Sequence, residues 1–116
     1  MVDIFKALAE ESRLRILSIL LNEEMCVCEI EECLKMAQSN VSRHLTALKN
    51  CGILDCNKHA QWVYFKISDK FKEENENLWL YLCQKLKESA NYKIDMDEYR
   101  KCKSLDLCNN KTLRSK

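Results

Sequence analysis

The chain has no proline and a single glycine in 116 residues. Helix breakers are therefore scarce, and a mainly helical fold is expected. It also lacks any apolar run long enough to span a bilayer, and its start, Met-Val-Asp-Ile-Phe-Lys, does not have the charged-then-apolar layout of a secretory leader. The expectation is a cytoplasmic protein with no membrane attachment. A net charge of only +1 gives no overall excess that would draw the chain to a polyanion. Any such signal must come from how the charge is distributed.

What is abundant is cysteine. Eight thiols in a chain without a leader argue for metal or redox chemistry rather than for a disulfide framework. The charge is also segregated. Residues 1–37 carry four Lys or Arg against eight Asp or Glu, whereas residues 38–66 carry four against one. The remainder holds eleven against nine. Positive charge thus gathers in the middle of the chain, where contacts to a phosphate backbone would need it.

That middle stretch, Gln38 to Leu48, is the most informative in the sequence. Read as a helix, it lines up Val41, Leu45 and Leu48 on one apolar stripe and turns Ser39, Ser42, Arg43 and Thr46 the other way. Short hydroxyl side chains allow close approach to another polymer, and Arg forks onto guanine or phosphate. The pattern predicts the recognition helix of a helix-turn-helix. An ordinary amphipathic surface helix has the same periodicity, and the surroundings decide between the two.

Upstream, residues 2–9 suggest a short helix with Ile4, Phe5 and Leu8 on one side. From Ser12, read as an N-cap, a core helix is expected with Leu14, Leu17 and Leu21 on one face and Ile16 and Leu20 beside it. A third helix is expected from Met25 to Met36, with Ala37 as the turn into the recognition helix. Downstream, Gly52 suits the left-handed residue that ends a helix. Two strand-like runs, 53–57 and 61–68, then predict a β-hairpin turning at Lys58-His59-Ala60, which directly after a recognition helix is a wing. Lys58 and His59 at its tip are candidates for DNA contact.

Residues 69–91 read as a further helix, with Phe71, Leu78, Leu82 and Leu86 in line. That is more apolar surface than one small domain needs, which predicts a two-fold dimer built on this helix and the first one. The expected organisation is a winged helix-turn-helix, mainly α with a small β-hairpin, over residues 1–91. A polar tail over 92–116, bearing Cys102 and Cys108, is expected to be loosely ordered unless something clamps it.

Several of these segments resemble, in order and spacing, the ArsR/SmtB family of winged-helix metal-responsive repressors. The resemblance runs through Phe5-Lys6-Ala7-Leu8-Ala9, Arg13-Leu14-Arg15-Ile16-Leu17, Cys26-Val27-Cys28-Glu29, Gln38 to Leu45, Gly52-Ile53-Leu54 and Gln61-Trp62-Val63-Tyr64, and covers about residues 2–90. It implies a homodimer on an inverted-repeat operator that is released when metal binds, with no cofactor needed for DNA binding. Gln38, Ser39, Asn40, Ser42, Arg43, His44 and Thr46 fall on the family's DNA-contacting helix. His44 lies at the margin of the apolar stripe, where a packed, hydrogen-bonded histidine is an equal reading.

Cys26-Val27-Cys28 looks like the inducer site of the arsenic- and antimony-sensing branch, since soft thiophilic ions select thiolates. Small buried hydrophobes would explain Cys26 and Cys33, which share a helical face with Ile30 and Leu34. They do not explain Cys28, which points about 200° away from Cys26 if both are helical. On that geometry the two thiols reach one ion only if the first turn of the third helix unwinds, and unwinding is the expected switch. The best-known arsenic pattern has its third thiol three residues after the second cysteine, where this chain has Glu31. The third ligand is then Cys33, or Cys102 or Cys108 from the tail, in the same subunit or its partner. Cys51, Cys56 and Cys83 are read as structural, with Cys83 able to pair with Cys28 in a redox switch.

The family's zinc and nickel sensors use His and carboxylates on the dimer helix, and residues 69–91 contain no histidine. Its cadmium and lead branch recruits cysteines from an N-terminal extension, which this sequence does not show. Cadmium or lead sensing, and thiol redox or persulfide sensing on the same fold, remain the alternatives. An enzyme reading rests only on the Cys-x5-Arg spacing of Cys108 and Arg114; its loop, Asn-Asn-Lys-Thr-Leu, lacks small residues and has two residues after it. No enzymatic activity is expected.

Overall fold

The computed structural model describes residues 1–104. Seven helices and a three-stranded sheet follow one another in the order α1 (Val2–Leu8), α2 (Glu11–Leu20), β1 (Met25–Cys26), α3 (Val27–Leu34), α4 (Gln38–Asn50), β2 (Leu54–His59), β3 (Trp62–Ile67), α5 (Asp69–Glu74), α6 (Glu76–Glu88) and α7 (Ala90–Ser104). The sheet is antiparallel, ordered β1-β3-β2. None of the described helices is long and apolar enough to cross a membrane.

Helix α2 is the hub. Ile16, Leu17, Ile19 and Leu20 are buried while Leu14 and Leu21 are half-buried, so α2 is covered on most of its circumference and not along one face. The reason is that α1, α3, α4, α6 and α7 all pack on it. Its N-cap is Glu10, not Ser12. Helices α3 and α4 form the helix-turn-helix. Lys35 ends α3 in the left-handed conformation with φ 56°, Met36 N–H closes back onto the Glu31 carbonyl, and Ala37 begins α4. Val41, Leu45 and Leu48 are fully buried, as the period-3.6 pattern predicts.

Gly52 takes a φ of 89°, which fits its place at the end of α4. The hairpin is longer than expected, because His59 pairs with Trp62 and the loop is only Ala60-Gln61. Ala60 absorbs the tight turn with a left-handed φ of 57°. The segment 69–91 is broken at Asn75 and again at Ser89, giving α5, α6 and the start of α7. Ser68 caps α5 by accepting from the Phe71 amide at 3.2 Å.

Helix α7 departs from the loosely ordered tail expected after residue 91. It packs on α2 and α3, with Met96 and Cys102 in the hydrophobic core. Arg15 of α2 donates through Nε and Nη2 to both oxygens of Asp95, at 3.0 and 2.9 Å. Asp95 is 1% exposed, and the bidentate pair is what makes a buried carboxylate tolerable there. Glu23 accepts from the Tyr99 hydroxyl and pairs with Lys103 at 2.7 Å. These polar clamps hold a helix whose surface is otherwise mostly charged.

Candidate functional site

The Cys26 and Cys28 sulfurs lie 2.9 Å apart. The third helix was expected to start at Met25, which would have turned the two thiols away from each other; it starts at Val27. Cys26 stands outside it as the N-cap, with extended backbone (φ −88°, ψ 167°), and the 100° per residue rule does not apply to it. No unwinding is needed to bring the pair together. Cys26 Sγ accepts from the Glu29 backbone N–H, and the buried Glu29 carboxylate accepts from the Cys26 N–H at 2.9 Å, forming a capping box built on a thiol.

Cys26 is also a strand residue. It pairs with Tyr64 and Met25 pairs with Phe65, so β1 ties the start of α3 to the wing strand β3. Burial, with the Cys28 hydrogen bond next, pushes the Cys26 thiol up to about 12, against a smaller lowering from the Glu29 amide. It is a thiol at neutral pH. A bare cation taking it as thiolate must expel that proton, whereas a hydroxo species carries it off as water.

Cys33 and Cys102 belong to the hydrophobic core. Cys33 is 1% exposed in the core, and Cys102 is 8% exposed on α7 in the same cluster. No group of three His, Cys, Asp or Glu arranged to hold a metal ion occurs among the described residues. Cys51, Cys56 and Cys83 are half-buried. Cys108, like Arg114, lies outside the described residues.

On α4 the outer face is open. Gln38, Ser39, Asn40, Arg43 and Thr46 are exposed and Ser42 is half-buried. His44 must be corrected. It is 2% exposed, and its Nδ1 accepts from Arg13 Nε at 3.1 Å, so it does not face a ligand of α4. At about 100° per residue, position 44 falls within about 60° of both Val41 and Leu48, and packing of α2 against α4 widens the buried stripe to include it. Burial lowers its pKa, Glu10 opposes that, and Arg43 and Arg13 add to it. Arg13 also pairs with Glu10 at 3.2 Å, so His44, Arg13 and Glu10 join the recognition helix to the hub. The signal for this was Arg13 itself, a charge inside an apolar helix run. At the wing tip Lys58 and His59 are exposed, and His59 sits 3.7 Å from Glu24, ahead of β1.

Residues 2–55 match the family described as bacterial regulatory protein, arsR family. The arsenic resistance transcriptional regulator ArsR2 of Pseudomonas putida is 30% identical over 105 residues, covering 90% of this chain and 87% of that protein. ArsR1 of the same organism is 40% identical over 65 residues, 55% of this chain, and the match spans about half (51%) of that relative's length. Among solved structures, a homodimeric winged helix-turn-helix DNA-binding domain from Mycobacterium bovis, described as a possible ArsR-family transcriptional regulator, is 26% identical with a TM-score of 0.62, covering 72% of this chain and 77% of that one. A helix-turn-helix with its polar face open, a paired wing behind it and this sequence likeness together place the chain in the ArsR family of winged helix-turn-helix transcriptional regulators.

Proposed function

We propose that this chain is a homodimeric repressor that docks α4 on operator DNA and lets go when trivalent arsenic or antimony takes Cys26 and Cys28. The observation that carries the reading is the 2.9 Å thiol contact at the start of the helix leading into the turn before α4. Soft trivalent ions prefer thiolates, and two preplaced sulfurs need little rearrangement to hold one. Gln38, Ser39, Asn40, Ser42, Arg43 and Thr46 form the face for an inverted-repeat operator, with Lys58 and His59 reaching the backbone beside it.

Release follows from where Cys26 sits. Its sulfur caps α3 while its backbone pairs with the wing, so a ligand on that sulfur strains both DNA-facing units. Losing the cap alone is worth about 1 kcal/mol. Moving the population from almost all bound to almost all free needs about 5.5 kcal/mol, so the strand contact and the turn must also yield. Dimerisation is supported by Val2 and Phe5 exposed on α1 and Leu80 and Tyr81 exposed on α6, with Phe5 and Tyr81 lining a groove of about 650 Å³.

The test is arsenite titrated, under reducing conditions, into the protein on a labelled inverted-repeat fragment from upstream of its own gene. Cys28→Ser is expected to bind the fragment as the parent does and to need more than about a hundredfold more arsenite for release, on the order of 3 kcal/mol of lost ligand preference. Loss of DNA binding by that variant would sink the reading. The same sulfur contact favours one rival, a thiol redox sensor; an oxidant that releases DNA where arsenite does not would establish it.

A further inference from the structure

We propose that Arg13 is a positioning residue for operator recognition, which through His44 sets the rotation of α4 about its own axis and so aims Arg43. This rests on reading the outer face of α4 as the docking surface and goes on to say what orients it. Arg13 stands in the first turn of α2, with its side chain 15% exposed. Its Nε donates to His44 Nδ1 at 3.1 Å, and its Nη2 pairs with Glu10 Oε2 at 3.2 Å. The other ring nitrogen of His44 faces Glu10 Oε1 at 3.8 Å, so three side chains close a triangle between the start of α2 and the middle of α4. Burial lowers the His44 pKa and keeps the imidazole in the neutral form whose Nδ1 can accept.

The apolar stripe of α4 decides which face is buried, and the Arg13 bond refines the roll. Val41, Leu45 and Leu48 are buried by a non-directional force, whereas a hydrogen bond weakens steeply as its angle closes. The side-chain envelope of a helix lies about 5–6 Å from its axis, so a roll of about 10° carries a side-chain tip about 1 Å. That is wider than the whole span of good N–H···O distances, about 2.7–3.2 Å. Arg43, next in the chain to His44, is exposed and can fork onto guanine, a two-bond contact that a roll would break first. Arg13 itself is turned inward to His44 and Glu10, and its effect on DNA passes through α4.

The experiment measures binding of the full chain to a labelled inverted-repeat fragment from upstream of its own gene and to an unrelated duplex of equal length, over a range of salt. Arg13→Met keeps the stem and removes the guanidinium. Arg13→Lys keeps the charge beside Glu10 and guards against a first variant that does not fold. Both should bind the unrelated duplex as the parent does, with the same salt slope. Preference for the operator should fall at least about tenfold with Met and about threefold with Lys. In an Arg43→Ala background the loss should shrink to about twofold or less, because the group being aimed is gone. An arginine on a phosphate would instead weaken both duplexes alike and lower the salt slope by about one, which would overturn the proposal. An undiminished loss in the Arg43→Ala background would overturn it too. If Arg43→Ala leaves operator binding unchanged, the docking reading fails and the aiming role falls with it. If Arg43→Ala weakens binding while the Arg13 variants keep the parent's preference, docking stands and the aiming role alone is overturned.

Discussion

Helices α3 and α4 flank one turn and treat their N-termini in opposite ways. The start of α3 is closed by its own chain, with Cys26 and Glu29 exchanging hydrogen bonds and Glu29 placing an acid in the first turn. The start of α4 has Ala37 as N-cap, no side-chain cap and no acid in its first turn, and it leads into exposed Gln38, Ser39 and Asn40. Free amides and the positive end of a helix dipole suit an anion. In the proposed reading, a ligand on the Cys26 sulfur takes the place of the cap of α3, while a phosphate at α4 meets a helix start that no side chain caps. One helix start is therefore suited to sensing and the other to docking.

The largest expected effect tests the support behind α3. Arg15→Met leaves Asp95 buried without its partner and should cost about 3–5 kcal/mol in urea unfolding. A loss under about 1 kcal/mol would mean that α7 is not a real brace. Next comes the docking side. Arg43→Ala should weaken operator binding by about 1–3 kcal/mol while leaving the unfolding midpoint almost unchanged; a drop in stability would show that the outer face of α4 is engaged within the protein.

On the sensing side, Glu29→Ala removes half of the capping box and should cost about 1 kcal/mol of stability. It should also lower the arsenite needed for release, and an unchanged dose would separate the cap from the switch. The smallest effect concerns His44, whose pKa is lowered by burial. The unfolded state then takes up a proton that the folded state refuses, so stability should fall as pH drops from the ordinary histidine value of about 6.5 toward the lowered one. Thermal melts between pH 7.5 and 5 would show this slope, and His44→Gln should flatten it.

Much of the architecture was readable from residue order. The stripe Val41, Leu45, Leu48, the left-handed Gly52 and the hairpin behind α4 all follow from local periodicity and backbone preference. The wing's true loop was not, since Ala60 at positive φ carries no glycine or asparagine signal. Nor was α7, whose charged surface gives little helical amphipathicity. It is held by partners about 80 residues away, such as Arg15 for Asp95.

The thiols show the division most clearly. Sequence alone marked Cys26-Val27-Cys28 as a candidate for soft-ligand chemistry and the outer face of α4 as a candidate docking surface, because residue type and spacing suggest both. That the two sulfurs touch was decided by the sheet. Pairing of Met25 and Cys26 with the wing strand holds Cys26 in extended backbone, so the helix begins at Val27, two residues later than expected, and Cys28 lies beside Cys26. His44 was decided the same way, by α2 packing against a position that helical periodicity leaves at the margin. Periodicity describes a segment by itself, while helix ends and stripe edges are set by contacts with distant parts of the chain.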